Sequence, residues 1–182
     1  MALVESDEVG EGTRVWAFAH IMKGAKVGRN CNIGDHCFIE SGAVVGDNVT
    51  IKNGVSVWNK VKIENNVFLG PNVVLTNDPL PRSRNKDWVP METIIREGAT
   101  VGANATIICG IEIGTYCMIG AGGVVSRSVP PYALVYGNPT RTKGYICQCA
   151  RKLTFNGNKA RCTNCNKRYV KRDEVVSHVG PI

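Results

Sequence analysis

One periodicity constrains this chain more than any other feature. From Val9, every sixth residue is Val, Ile or Leu: Val15, Ile21, Val27, Ile33, Ile39, Val45, Ile51, Val57, Ile63, Leu69 and Leu75. An amphipathic helix repeats its apolar residues at three and four, and a half-buried strand at two, so neither gives an unbroken period of six. Self-similarity over so many units marks a solenoid, and six-residue repeats belong to β-helices. Four residues after each of these positions the chain is small or β-branched: Thr13, Ala19, Ala25, Cys31, Cys37, Ala43, Val49, Val55, Val61, Val67 and Val73. Two inward residues in six fit a short flat strand followed by a tight corner. Gly and Asn or Asp (Asn30, Asp47, Asn48, Asn65, Asn66) supply the backbone that such corners need.

Three hexads close a triangular coil of 18 residues, so residues 9–75 give roughly four coils. The period stops after Leu75 and resumes at Ile95, followed by Val101, Ile107, Ile113, Ile119 and Val125, which adds about two more. Between the blocks, three prolines and several charges argue against the coil. A loop this long is usually functional, and the one interruption of a uniform scaffold is a natural place for chemistry. Pro130 and Pro131 stop the second block. The predicted organisation is all-β: coils over 1–75, an inserted active-site loop over 76–94, coils over 95–140 and a basic, Cys-rich tail over 141–182.

The length of 182 residues suits one domain with a small appendage. No run of about 18 apolar residues exists and the short acidic N-terminus does not resemble a signal peptide, so no membrane insertion and a cytoplasmic location are expected. In that compartment eight cysteines favour free thiols or metal ligands over disulfides. Cys31, Cys37 and Cys117 fall at the small inward position and read as buried hydrophobes. The net charge of +7 is uneven: residues 141–172 hold ten Lys/Arg and no Asp/Glu, against 12 basic and 15 acidic residues elsewhere. Such a tail suits nucleic acid or a phosphorylated small ligand. It carries no evident base-reading motif, which argues against nucleic acid. Cys147-x-Cys149, twelve residues, then Cys162-x-x-Cys165 is a four-thiolate spacing that fits a structural zinc site. A tail of about 40 residues has too little core to fold unaided. Ala150 and Asn166 stand where knuckles typically carry Gly.

The hexads resemble the left-handed parallel β-helix of the hexapeptide-repeat acyltransferases. The left hand is implied by that resemblance, since general rules favour right-handed crossovers. Trp16-Ala-Phe-Ala-His-Ile21, Gly70-Pro71, Thr76-Asn-Asp78, Pro81-Arg-Ser83, Gly98 to Ile107 and the Pro-Pro-Tyr-Ala-Leu-Val-Tyr-Gly-Asn-Pro-Thr-Arg141 ending are similar to one subgroup. It comprises the N-acetyltransferases of nucleotide-linked 3-amino sugars, some of which carry a Cys-rich tail. The resemblance implies acetyl transfer from acetyl-CoA to the 3-amino group of a UDP- or dTDP-linked sugar in surface-glycan (lipopolysaccharide) biosynthesis, by a homotrimer with sites between subunits. The Thr-Asn-Asp-Pro form leans towards a thymidine-linked deoxyhexose and the tail towards a uridine-linked uronic acid.

On the same basis Asn77 and Asp78 would lie at the sugar amine and its neighbouring hydroxyl, with Arg82 on a phosphate or the sugar. Trp58 and Asn59 precede Thr76 and Asn77 by one coil, so Asn59 is expected to stack on Asn77. Several relatives have Glu where this chain has Asn59. Ala103 and Ala121 would let the pantetheine arm approach the backbone, and Gly122, Arg127, Asn138, Pro139 and Arg141 would hold the pyrophosphate and adenosine. The histidines are His20, His36 and His178. None lies in the loop, so a His base would need His20 or His36, both placed on the substrate side, to reach across a subunit boundary. Asp78 is favoured for orienting and polarising the amine. An O-acetyltransferase of this fold usually relies on a His near the loop. A coil carbonic anhydrase needs three His ligands on the coil. A non-enzymatic coil bearing a basic ribbon is the remaining alternative.

Overall fold

The computed structural model describes residues 1–180, and among these the chain forms 25 strands and no α-helix. Most strands are two residues long, as a hexad with two inward side chains requires. They stack into parallel ladders on three faces of a β-helix. The longest ladder runs through Arg14–Val15, Asn32–Ile33, Thr50–Ile51, Phe68–Leu69, Thr100–Val101, Met118–Ile119 and Ala133–Tyr136. Inward Ile33, Ile51, Leu69, Val101 and Ile119 are at most 1% exposed and fall directly above one another.

The stack has seven levels where the repeat arithmetic gives six. Leu3–Val4 pairs with His20–Ile21 ahead of the first full hexads. Beyond Pro130 and Pro131, Ala133–Tyr136 still pairs in parallel with Met118–Ile119. The prolines end the hexad pattern but not the ladder. Tyr132 turns the chain back with a φ of 60°, and ladder bonds are backbone bonds that need no particular side chain.

Corners recur in the left-handed region: Asn30, Asn48 and Asn66 have φ of 54°, 56° and 60°. Asn tolerates this conformation because its short side chain bonds locally. The Gly after an inward residue has a separate reason. A Cβ at Gly46 would come within 2.5 Å of Asn65 Oδ1, the atom that accepts the Asp47 N–H at 2.8 Å one level earlier. Asp47 does the same for the Arg29 N–H, 2.7 Å.

Successive levels are 18 residues apart except at one place. Lys62 pairs back to Val44, but Val61 pairs forward to Thr93, a step of 32. Fourteen residues are therefore added between Leu75 and the strand Thr93–Ile95. After the last level, Arg141–Ile146 folds back antiparallel onto Ala133–Tyr136 and is joined by Lys152–Leu153. A four-stranded antiparallel sheet follows: Phe155–Asn156, Lys159–Arg161, Arg168–Arg172 and Val175–Val179. An aromatic column fixes the tail to the coil. Tyr116 stacks on Tyr132 (5.8 Å), and Tyr132 meets Tyr169 edge-on (5.2 Å).

Candidate active site

The inserted loop is tied down at its base and exposed at its tip. The Thr76 hydroxyl accepts the Cys109 N–H at 2.9 Å, the Asn77 carbonyl accepts the Met91 N–H at 2.8 Å, and the Lys60 carbonyl accepts the Thr93 N–H at 3.0 Å. Asn77 and Asp78 are half-buried at this base, while Arg82 lies among exposed residues. Asp78 Oδ1 accepts the Leu80 N–H at 2.9 Å, an Asx turn that holds the carboxylate at the loop's entrance. The indole N–H of Trp58 donates to the Leu75 carbonyl, 2.7 Å, so this ring leans on the level from which the loop departs. The Asn59 N–H goes the other way, to Glu40 Oε2 at 2.7 Å. A carboxylate therefore sits at this edge after all, supplied one coil earlier by a residue that sequence reasoning passed over.

His20 and His36 lie elsewhere. His20 Nε2 meets Glu5 Oε2 at 3.0 Å, and its ring sits edge-on to Phe38, which in turn faces Trp58 at 5.7 Å. His20 pairs with Phe38 and Phe38 with Ser56, two levels or about 9.5 Å at the usual strand spacing, and Val74 lies a further 18 residues along the chain in a separate ladder. Within one chain His20 is remote from Asn77. His36 is a corner residue, φ 56°, whose ring stacks on Phe18 at 5.0 Å.

The last levels bring together most of the second residue group. The Ala103 carbonyl accepts the Gly122 N–H at 2.8 Å, which locks these two corners to each other. A side chain at Gly122 would meet only open space, so Gly is needed there for its φ of 68°. The turn holding Asn138 and Pro139, joined by a cis peptide bond, clasps Val124. The Val124 N–H donates to Gly137 (3.0 Å) and the Thr140 N–H to Val124 (2.9 Å). Arg127 and Arg141 line one cleft of about 160 Å³ with Ser128, Thr140 and Thr142. Ala121 is exposed on the same edge.

In the tail, the sulfurs of Cys147, Cys149, Cys162 and Cys165 lie within 4.8 Å of one another. Three pairs are 3.4–3.5 Å apart, and all four thiols are free. Two like hairpins hold them. The Cys147 N–H donates to Arg151 and the Ala150 N–H to Cys147, both 2.8 Å; the Cys162 N–H donates to Lys167 (2.9 Å) and the Asn166 N–H to Cys162 (3.1 Å). Ala150 and Asn166 take φ of 63° and 62°, so both adopt the conformation for which Gly was expected. Burial pushes the Cys147 thiol up to about 12. Burial also opposes charge on Cys149, but bonds from Asn164 and the neighbouring thiols outweigh it and draw it down to about 6. Tyr169, which sequence reasoning did not single out, gives the cluster its link to the coil: its hydroxyl contacts Cys147 Sγ at 3.0 Å and accepts the Gln148 N–H at 3.1 Å. A lone Tyr between Arg168 and Val170 offers no signal for this.

A hexad-built parallel β-helix with one loop inserted beside an amide and a carboxylate defines a class, the hexapeptide-repeat transferases. Residues 8–41, 42–77 and 92–127 match the family described as bacterial transferase hexapeptide (six repeats), and the chain belongs to it. Over 98% of its length, and 92% of the relative's, it is 53% identical to dTDP-3-amino-3,6-dideoxy-alpha-D-galactopyranose 3-N-acetyltransferase of Aneurinibacillus thermoaerophilus. Among solved structures, WeeI from Acinetobacter baumannii AYE is similar over 78% of this chain and 54% of its own (24% identity, TM-score 0.50). PerB from Caulobacter crescentus, solved in complex with CoA and GDP-perosamine, is similar over 79% of this chain and 54% of its own (27% identity, TM-score 0.42). The chain spans about half the length of those two structures.

Proposed function

We propose that this chain transfers the acetyl group of acetyl-CoA to the 3-amino group of a dTDP-linked 3-amino-3,6-dideoxyhexose. The observation that carries this reading is 53% identity over nearly the whole chain to the Aneurinibacillus enzyme of that activity. It favours the thymidine-linked deoxyhexose over the uridine-linked uronic acid.

The neutral amine attacks the thioester carbonyl; the C–N bond forms, the C–S bond breaks, and one proton passes from the nitrogen to the CoA sulfur. Asp78, fixed by its Asx turn, orients the amine and takes up its developing positive charge, while the Asn77 amide bonds the neighbouring hydroxyl. Holding amine and thioester in contact can supply several kcal/mol on its own. Arg127 and Arg141, sharing one cleft, suit the phosphates of CoA, since a guanidinium offers a planar fork to oxyanions. A homotrimer would bring the Glu5–His20 pair of one subunit towards the loop of another. Leu80 and Val89 of that loop are 81% and 75% exposed in a single chain.

The four thiols fit a structural zinc ion. Tetrahedral Zn–S bonds of about 2.3 Å place the sulfurs about 3.8 Å apart, close to the contacts found here and far from a disulfide of about 2.05 Å. With four protein ligands the ion would supply structure and leave no open position for substrate.

Thiol release from acetyl-CoA tests the reading with a panel of 3-amino, 4-amino and hydroxyl-only sugars on thymidine and uridine carriers. Turnover should be fast with the dTDP-linked 3-amino deoxyhexose. It should fall on the order of a hundredfold or more in Asn77→Ala and Asp78→Ala. Release with hydroxyl sugars alone would make the enzyme an O-acetyltransferase.

A further inference from the structure

We propose that the outward face of the tail sheet is a docking surface for an anionic phospholipid membrane. Strand alternation sorts the side chains. Ala160, Tyr169 and Val176 are buried, so Lys159, Arg161, Arg168 and Arg172 share the opposite face with Val170, Val175 and Val179. Among the described residues, the strand positions of that face include no acidic residue; Asp173 lies in the turn after Arg172. Arg161 is paired directly with Arg168 across the two strands. Like charges directly opposite destabilise a sheet, so an external anion would relieve the pair. Within residues 141–172, Lys171 alone forms an ion pair among the described residues, and its ammonium leans inward over Tyr145 and Phe155.

The surface is amphiphilic. A hollow of about 430 Å³ is lined by Lys159, Arg161 and Arg168 together with Tyr169, Val170 and Val179. Cationic heads around aliphatic side chains match a phosphate headgroup above an acyl chain. Nucleic acid fits less well. Tyr169, which lies beneath the same hollow, is only 1% exposed, and Tyr145 and Phe155 pack on each other, so no ring stands out on which bases could stack. Each basic residue at an anionic bilayer strengthens binding about fivefold.

The surface is independent of acetyl transfer and is tested on the zinc-loaded full chain by co-sedimentation with vesicles. Binding is expected to vesicles of phosphatidylcholine mixed with phosphatidylglycerol, not to phosphatidylcholine alone, and to fade as salt rises. The double variant Arg161→Glu/Arg168→Glu should lose it on the order of a hundredfold. Lys52→Glu, an exposed coil position, should keep it. Acetyl transfer and zinc content of the double variant report that it has folded. Equal binding to both vesicle types, full binding by the double variant, or tighter binding to duplex DNA than to the vesicles at the same salt would overturn the proposal.

Discussion

The coil and the tail solve the same problem by opposite means. In the coil, each level contributes one Ile, Val or Leu to each of three columns and one more inward residue beside each, and every level touches only the next. Stability is then close to a sum of like terms, and losing one term is a local event. The tail has few large buried side chains, chiefly Tyr169 and Val176 in its sheet and Tyr145, Ile146 and Leu153 beside it. Its two hairpins meet at four sulfurs, and the column from Tyr169 to Tyr132 carries that arrangement to the coil. Redundancy holds one region; a single junction holds the other.

Removing the junction is the largest test of this contrast. Cys162→Ser takes a buried thiol from the cluster. Structural zinc contributes about 10–16 kcal/mol to small metal-bound domains, far more than a tail core of this size can replace. Metal analysis is expected to find zinc in the native chain and none in the variant. Trypsin should then cut among the Lys and Arg of residues 141–172, leaving a resistant coil fragment. A tail that stayed protected without metal would show that the aromatic column alone suffices.

One step in the coil comes next. Ile51 is fully buried at a middle level, and Ile51→Ala should lower unfolding free energy by about 2–5 kcal/mol in a denaturant titration. If the levels act additively, Val129→Ala near the end should cost less, because its cavity opens towards fewer neighbours. Equal costs would mean that the solenoid behaves as one cooperative block.

Corner glycines probe the coil more finely. At Gly46 a methyl group would press on Asn65 Oδ1 at 2.5 Å and on the Asn65 N at 2.9 Å. Gly46→Ala should cost about 1–3 kcal/mol through this overpacking. Asn65→Ala, which removes only the bond to the Asp47 N–H, should cost about 1 kcal/mol. The two are coupled. Once Asn65 is Ala, adding the Gly46 methyl should cost less than it does alone, and a double-mutant cycle measures that difference.

These contrasts also explain what could be read from sequence. The coil was legible because its core repeats: Val9 to Leu75 states the columns outright. The end levels were not, since Leu3–Val4 and Ala133–Tyr136 are apolar but out of step with the 18-residue coil: Val4 pairs with Ile21 and Val135 with Ile119. The four cysteines were legible from spacing alone. Tyr169 was not, because its partners, Cys147 and Tyr132, come from elsewhere in the chain. Asn77 and Asp78 stood out only by resemblance to a family. Glu5 escaped notice because its bond to His20 depends on how the first level stacks, and Glu40 because its bond to Asn59 runs between coils.

The smallest expected effect lies on the coil surface and asks whether charges there act as redundantly as the core does. Arg96 reaches Glu64 with one nitrogen (2.7 Å) and Glu112 with the other (2.8 Å), linking three levels. Its bond to Glu112 holds that carboxyl below the ordinary value, against a smaller opposing effect of burial. A carboxyl with a lowered folded-state pKa stabilises the fold above its unfolded pKa of about 4.3, and that contribution is lost as pH falls through the folded value. All three side chains are a third or more exposed, so water screens the pair and Arg96→Met should cost no more than about 1 kcal/mol near neutrality. Denaturant midpoints of the two proteins should converge as the pH is taken well below 4. A gap that persisted there would assign the effect to the packing of the arginine stem, and would place this contact with the additive apolar terms of the coil and not with its charges.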